Sequence, residues 1–445
     1  MNTSGALLTL YIVIAVVVMV VVGVVLRRGL VRRGHTEEIP DRAPYVDDDP
    51  TAADSIWIVV NPTKPPDYAA FQNTVNALSL RYTGKSVRWM ETTREDPGTG
   101  QALFALQHDP AVVIAAGGDG TVRAVAAGMS HSAVPMGIIP VGTGNLVARN
   151  LELPLELEHA FEVAVSGETS PIDLAWLRTE RVSEESTMPP EGALVRQGLE
   201  RAKAERVPLN RLVKEIPDPH PEEYSYLVIS GVGFDGETMA NTTAKMKKAV
   251  GWSAYVLTAL KSLHIERMKA TVTLYSPVGF DAEKPSWARA VPEKVYQAIE
   301  DSHTLKSDTD PIDATEDEER ITTALRARTV LMANCGELPF TVLSPYAEID
   351  DGALDVIAID TQAGLLGWTN LAAKVLGQGL GLRPINARRD LGQISFLQCR
   401  RARVDINRPY PVQVDGDHIG SARTILSRID ESALLIRHPW ETPQS

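Results

Sequence analysis

Cysteine is nearly missing from this chain: two in 445 residues, Cys335 and Cys399. Two thiols build neither a disulfide framework nor a Cys-rich zinc module, and they suit a reducing compartment. His108, His131, His159 and His264 fall at no ligand spacing for zinc. Basic charge is the scarcer sign, with 44 Lys and Arg against 57 Asp and Glu and a net charge of −13. That balance excludes a protein held mainly by nucleic-acid phosphates, so no nucleic-acid partner is expected. The remainder, 44% hydrophobic and 23% charged, is an ordinary globular balance. The length suits two soluble domains with additional segments.

One long apolar run stands out. Residues Ala6 to Leu26 carry no charge, about 31 Å of helix and enough to cross a bilayer core. Arg27, Arg28, Arg32 and Arg33 follow it. A secretory signal would place its charge first and its apolar run would be shorter. The run therefore reads as one transmembrane helix, 6–26, with the N-terminus outside and everything after it cytoplasmic at the plasma membrane. Residues 27–54 turn polar, acidic and Pro-containing, as in a tether.

From Ser55 the pattern alternates. Short apolar runs at Ser55–Val60, Ser86–Met90, Ala111–Ala116 and Met136–Ile139 predict strands, most of them buried on both faces. Helical spacing at Tyr68–Tyr82, Gln101–Leu106 and Thr121–Met129 predicts the helices between them. This is an α/β, doubly wound, nucleotide-binding pattern over 55–153, with ligand contacts at the carboxyl ends of the strands. From about Ser170 strand-like runs dominate, at Tyr226–Ile229, Thr271–Leu274, Thr329–Met332, Leu354–Ile359 and Arg403–Ile406. They predict a β-rich second domain over 154–440, whose last strands return to the first domain. Two polar inserts, 181–223 and 280–320, read as surface excursions, with an added helix at Gln197–Lys214. Ala363–Leu380 reads as an amphipathic helix packed on the core.

Chemistry concentrates where the third strand ends, at Gly117-Gly118-Asp119-Gly120-Thr121. The glycines let the backbone approach a phosphate, and the N-terminus of the following helix favours an anion. Thr121 can cap that helix or donate to a phosphate oxygen. Asp119 would repel a phosphate directly, so it suits Mg²⁺ or ordered water beside one. Asn61-Pro62-Thr63-Lys64 after the first strand and Pro140-Val141-Gly142-Thr143-Gly144-Asn145 after the fourth end on the same sheet edge. Three such turns on one edge predict one crevice.

These motifs resemble the catalytic domain of the diacylglycerol kinase family, which includes soluble bacterial lipid kinases and the sphingosine and ceramide kinases. Later stretches follow in the same order: Gly231-Val-Gly-Phe-Asp235, Ser344-Pro-Tyr-Ala347, Asp351-Gly-Ala-Leu-Asp355 and Val414-Asp-Gly-Asp417. The resemblance runs from Ile56 to about Pro439. It implies an ATP- and Mg²⁺-dependent kinase of a lipid hydroxyl, diacylglycerol first among acceptors, with a C-terminal β-sandwich. Carried over, Asn61, Pro62, Thr63, Lys64, Pro65, Thr93, Gly117, Gly118, Asp119, Gly120, Thr121, Val122, Arg123, Gly142, Thr143 and Asn145 would contact nucleotide. Glu348, Asp351 and the carbonyl of Ala353 would hold a structural magnesium. Asp417 stands where the family usually has Glu, the proton acceptor, and Asp415 precedes it by two residues in a turn expected to present both carboxylates together. Arg123 stands where the family often has Asn, so its nucleotide role would be electrostatic. The implied partners are a membrane lipid substrate and the bilayer, with a homodimer left open. An NAD kinase-like phosphotransferase and a non-catalytic nucleotide or lipid sensor are the alternative readings. The anchor and the late Asp-Gly-Asp element argue against the former, whereas Asp417, Arg123 and the inserts motivate the latter.

Overall fold

The computed structural model describes residues 55–207, 213–214, 216–233, 267–277, 320–338, 341–342, 344, 347–361 and 392–439. The apolar run 6–26, the tether 27–54, the helix expected at Ala363–Leu380 and the insert 280–320 up to Arg320 lie outside them. Among the described residues no helix is long and apolar enough to cross a membrane.

Strand β1 (Ile56–Val60) is buried along its whole length, as its unbroken apolar run requires. Helix α1 (Tyr68–Thr83) starts at Asp67, whose side chain accepts from the Ala70 N–H at 3.0 Å, and stops at Gly84 with φ +67°. Strand β2 (Val87–Glu91), helix α2 (Thr99–Leu106), strand β3 (Val112–Gly117), helix α3 (Asp119–Met129) and strand β4 (Met136–Pro140) continue the alternation. The short α4 (Leu146–Asn150) and α5 (Leu157–Ser166) follow. The strands pair in parallel in the order β4-β3-β1-β2. Ile56, Ile58 and Val60 join Phe71, Val75, Leu78 and Phe161 in one core, while Trp57 and Val59 join Leu103, Val125 and Met129 in another. Period-2 alternation thus places helices on both faces of the sheet.

Next come β5 (Glu168–Glu180), α6 (Glu191–Ala204), β6 (Tyr224–Tyr226), β7 (Ile229–Val232), β8 (Met268–Pro277), β9 (Arg320–Ala327) and β10 (Thr329–Ala333). A two-stranded ribbon of β11 (Glu337–Leu338) and β12 (Thr341–Val342) precedes β13 (Leu354–Thr361), β14 (Gly392–Val414) and β15 (Asp417–His438). β14 and β15 form a long antiparallel hairpin that joins the two regions. β14 pairs with β7, β8 and β13, while β15 pairs with β5 and meets β4 in parallel at Ile436 and Met136. The result is a single continuous 13-stranded sheet.

Three sequence expectations need correction. The strand expected at Tyr226–Ile229 is broken, and β6 and β7 flank Leu227 and Val228, whose N–H groups donate to the Asp415 carboxylate at 2.9 Å each. The helix expected at Gln197–Lys214 is α6, starting six residues earlier, after Pro190. Nor is the 181–223 insert a surface excursion: Val195, Leu199, Ala202 and Val213 are buried in the same core as α2 and α3. Leu199→Ala is therefore expected to lower unfolding free energy by about 2–4 kcal/mol in urea titrations. A peripheral helix would show almost no change.

Candidate active site

Parallel pairing puts the carboxyl ends of β1, β3 and β4 on one edge, and the loops there touch. After β1, Asn61 Oδ1 accepts from the Thr63 N–H at 3.1 Å and from Thr63 Oγ1 at 2.7 Å, while the Lys64 N–H donates to the Asn61 carbonyl. This turn brings Lys64 Nζ to 3.8 Å from the position a Cβ would take on Gly118. A Cβ on Gly142 would lie 2.5 Å from Gly118 Cα. The β3 and β4 loops are thus in backbone contact, and the Gly142 position has no room for a side chain. Pro62 is half-buried and Pro65 buried, so they shape this loop from below; Thr63 and Lys64 are exposed at its crest.

Helix α3 begins at Gly118 without a side-chain cap, which leaves its first N–H groups directed at the edge. Thr121 is buried and folds back over Gly117, where a Cβ would meet Thr121 Cβ at 2.3 Å. Val122 belongs to the hydrophobic core, so its side chain offers no nucleotide contact. Thr93 closes a turn beyond β2, its N–H donating to the Asp96 carbonyl and its Oγ1 accepting from the Asp96 N–H at 3.0 Å. Thr143 is exposed on the β4 loop. Asn145 has φ +49° and donates from Nδ2 to the Gly142 carbonyl, while its Oδ1 is buried without a partner. An uncapped helix start, an ammonium group and close-packed glycines fit a phosphate chain. The orphan acceptor of Asn145 suits the water shell of an accompanying cation.

Carboxylates border this cradle. Asp119 Oδ1 accepts from the Leu146 N–H, tying α3 to α4. Burial, then the charge of Asp415, pushes the Asp119 pKa up to about 6. The hairpin turn between β14 and β15 is Asp415-Gly416 with φ +45° and +86°, both positive as a two-residue type I′ turn demands. The turn does not present both acids together, as the sequence suggested. Asp415 is buried, with Oδ2 accepting from Leu227 at 2.9 Å and Oδ1 from Val228 at 2.9 Å and Ile229 at 3.0 Å. Burial raises its pKa, and Arg123 opposes that rise. Asp417 is the accessible carboxylate. Its side chain is 42% exposed, and its Oδ2 lies 2.9 Å from the Cβ position of Gly120 in the glycine-rich loop. A side chain at Gly120 would push the Asp417 carboxylate aside.

Arg123 is not a nucleotide contact. It is 1% exposed, and its guanidinium is engaged by the protein: Nε with Glu191 Oε1 at 3.1 Å, and Nη1 with the Val414 carbonyl at 3.0 Å and Asp417 Oδ2 at 3.2 Å. Burial works against the charge, yet Glu191, Asp417 and Asp415 raise the Arg123 pKa. Glu191, fully buried at the start of α6, was missed by sequence reasoning because it lies in an insert with no motif.

The expected magnesium set is reproduced only in part. Among the described residues no three His, Cys, Asp or Glu side chains are gathered to hold a metal. Asp351 Oδ1 accepts from the Ala353 N–H at 2.9 Å, whereas Glu348 is exposed. Gln398 Nε2 approaches both Asp351 Oδ2, at 3.5 Å, and Asp355 Oδ2, at 3.4 Å. Burial raises both pKa values to about 6, helped for Asp351 by Asp355, Asp173 and Glu348. Paired hard oxygens fit a divalent cation. Asp355, at the end of the Asp-Gly-Ala-Leu-Asp stretch, is a better second ligand than Glu348.

The diacylglycerol kinase catalytic domain profile matches residues 55–177. Similar proteins include "Diacylglycerol kinase" of Staphylococcus haemolyticus, 34% identical over 121 residues, which are 26% of this chain and 36% of that one. "Probable lipid kinase YegS-like" of Pectobacterium atrosepticum is 31% identical over 160 residues, 35% of this chain and 39% of that one. The chain thus spans well under half the length of either relative. A candidate diacylglycerol kinase from Bacillus anthracis str. Sterne shares the fold, at TM-score 0.53 and 15% identity, covering 90% of this chain and 99% of that one.

Within the segment that the profile matches, Asp119 supplies a pH test. Its raised pKa means that the stability contribution is full below the unfolded value and is lost as pH rises through about 6. In magnesium-free buffer, Asp119→Asn is expected to keep the Leu146 hydrogen bond and flatten stability between pH 4 and 6. At pH 7.5 it is expected to gain roughly 1–3 kcal/mol over wild type. Urea unfolding across that range reads the slope directly; an unchanged slope refutes the assignment.

Proposed function

We propose that this chain is a membrane-anchored, ATP- and Mg²⁺-dependent lipid kinase that phosphorylates the hydroxyl of diacylglycerol. The observation that carries the reading is the position of Asp417: a solvent-accessible carboxylate against Gly120, in the first turn of the helix that opens the phosphate cradle. The family of residues 55–177 supports the same chemistry.

ATP supplies the phosphoryl group, and Mg²⁺ neutralises charge as it transfers. Lys64 and the N–H groups at the start of α3 hold the phosphate chain. Asp119, fixed by Leu146, borders that chain and orders the water or cation beside it. Asp417 accepts the proton of the acceptor hydroxyl, a role Asp415 cannot fill with both oxygens bonded to backbone N–H groups. The apolar run Ala6–Leu26 and the arginines after it support anchoring at the plasma membrane, with the catalytic region cytoplasmic. A diacyl lipid never leaves the bilayer, so a tethered kinase gains effective concentration at its substrate.

Transfer of labelled phosphate from ATP to mixed membrane lipids tests the proposal. Phosphorylated diacylglycerol is expected. NADP formation, or nucleotide binding without any product, would replace it with the two alternative readings. Asp417→Asn is expected to lower kcat about 100-fold or more with the nucleotide KM little changed. Lys64→Ala is expected to raise that KM about 10-fold, with a smaller loss in kcat.

A further inference from the structure

Asp417 sits at the tip of a hairpin, and a tip carboxylate free in solvent samples several rotamers. Here one of its oxygens is held. Arg123 Nη1 reaches Asp417 Oδ2 at 3.2 Å and the carbonyl of Val414, just before the turn, at 3.0 Å. Arg123 is held in its turn by Glu191, whose Oε1 meets Nε at 3.1 Å and whose Oε2 accepts from the Ser225 N–H at 3.2 Å. The start of α6 that carries Glu191 is locked as well. The Gly192 N–H donates to the Glu223 carbonyl at 3.0 Å, and a Cβ on Gly192 would lie 2.2 Å from the His220 carbonyl oxygen. Glu223 closes the set through two 2.8 Å bonds from Arg428 on β15.

We infer that Arg123 and Glu191 are positioning residues for the Asp417 carboxylate, and that the 181–223 insert is thereby a working part of the phosphoryl-transfer site. The inference rests on the kinase reading. A fully buried ion pair is weak evidence for stability alone, because desolvation offsets much of its attraction. Here the pair has a third member that is not buried, and that member is the carboxylate facing the cleft. Arg123 holds Oδ2 and leaves Oδ1 for the substrate hydroxyl. A guanidinium suits this task better than an ammonium, because its planar fork reaches Glu191, Val414 and Asp417 at once.

Removing one partner leaves the other charge buried and unpaired, so single variants can fail by unfolding. The deciding variant is the double substitution Arg123→Met with Glu191→Gln, which removes the pair together and preserves volume. Its thermal midpoint is expected within a few degrees of wild type. Its kcat is expected to stay at least about 30-fold low, with the ATP KM within about two-fold. Arg123→Lys is expected to recover part of that loss. A double variant as stable and as fast as wild type would show a purely structural pair and overturn the inference. A double variant that does not fold would also overturn it, because the pair would then be required for the fold itself. A crystal structure of the double variant gives a readout independent of turnover. Asp417 leaving its place over Gly120 supports positioning, and Asp417 unmoved overturns it. If wild type phosphorylates no lipid, the kinase reading fails, yet this structural comparison still decides what holds Asp417.

Discussion

Beneath the β14–β15 turn, the Asp415 carboxylate accepts three backbone hydrogen bonds from Leu227, Val228 and Ile229. The Asp415 N–H returns one to the Ile229 carbonyl at 2.8 Å. A buried carboxylate without donors is costly, so these amides are a condition for placing the turn here. They are available only because the strand breaks between β6 and β7, which frees Leu227 and Val228 from a ladder. Break and carboxylate therefore require one another. With Asp415 fixed, the two-residue turn dictates where Asp417 begins β15, and that place lies against the glycine-rich loop.

The electrostatics of the edge follow from this arrangement. Glu191, Asp417 and Asp415 surround one buried cation, Arg123, while Asp119 feels Asp415 and Asp417, and the cleft mouth adds Lys64. Such a site repels an uncompensated triphosphate. Burial, and then the charge of Asp415, raises the Asp119 pKa there.

The α/β half was legible because each β-strand there is a short apolar run whose alternate residues serve two helical layers, and because Asp67 and Gly84 punctuate α1. The convergence of the β1, β3 and β4 loops was legible for a related reason: glycines at 117, 120 and 142 mark close approach, and the structure shows what each position approaches. The β-rich half was read less well. β14 and β15 have 23 and 22 residues, with register shifts after Asp405 and Asp430, and only fragments of them show a clean strand pattern. Local pattern also failed at Arg123 and Asp415. Sequence context assigned Arg123 to the nucleotide and set Asp415 beside Asp417 on an open turn, but their partners lie 68 and 188 positions away. No window of sequence contains Glu191 and Asp417 together, so the link between them exists only in the fold.

That link also bears on how the halves of the molecule cooperate. Asp417 belongs to the β hairpin, and the glycine-rich loop belongs to α3 and its flanks. If only strand pairing joined them, the parallel contact of β15 with β4 at Ile436 and Met136 would have to fix a geometry near the other end of a 22-residue strand. Small bends at the bulges would then displace Asp417 from its place against Gly120. Arg123 removes that dependence. It grips the turn by its backbone at Val414 and by its side chain at Asp417, and it is itself part of α3. The carboxylate is thereby registered against the helix that opens the cradle, whatever the strands do at a distance.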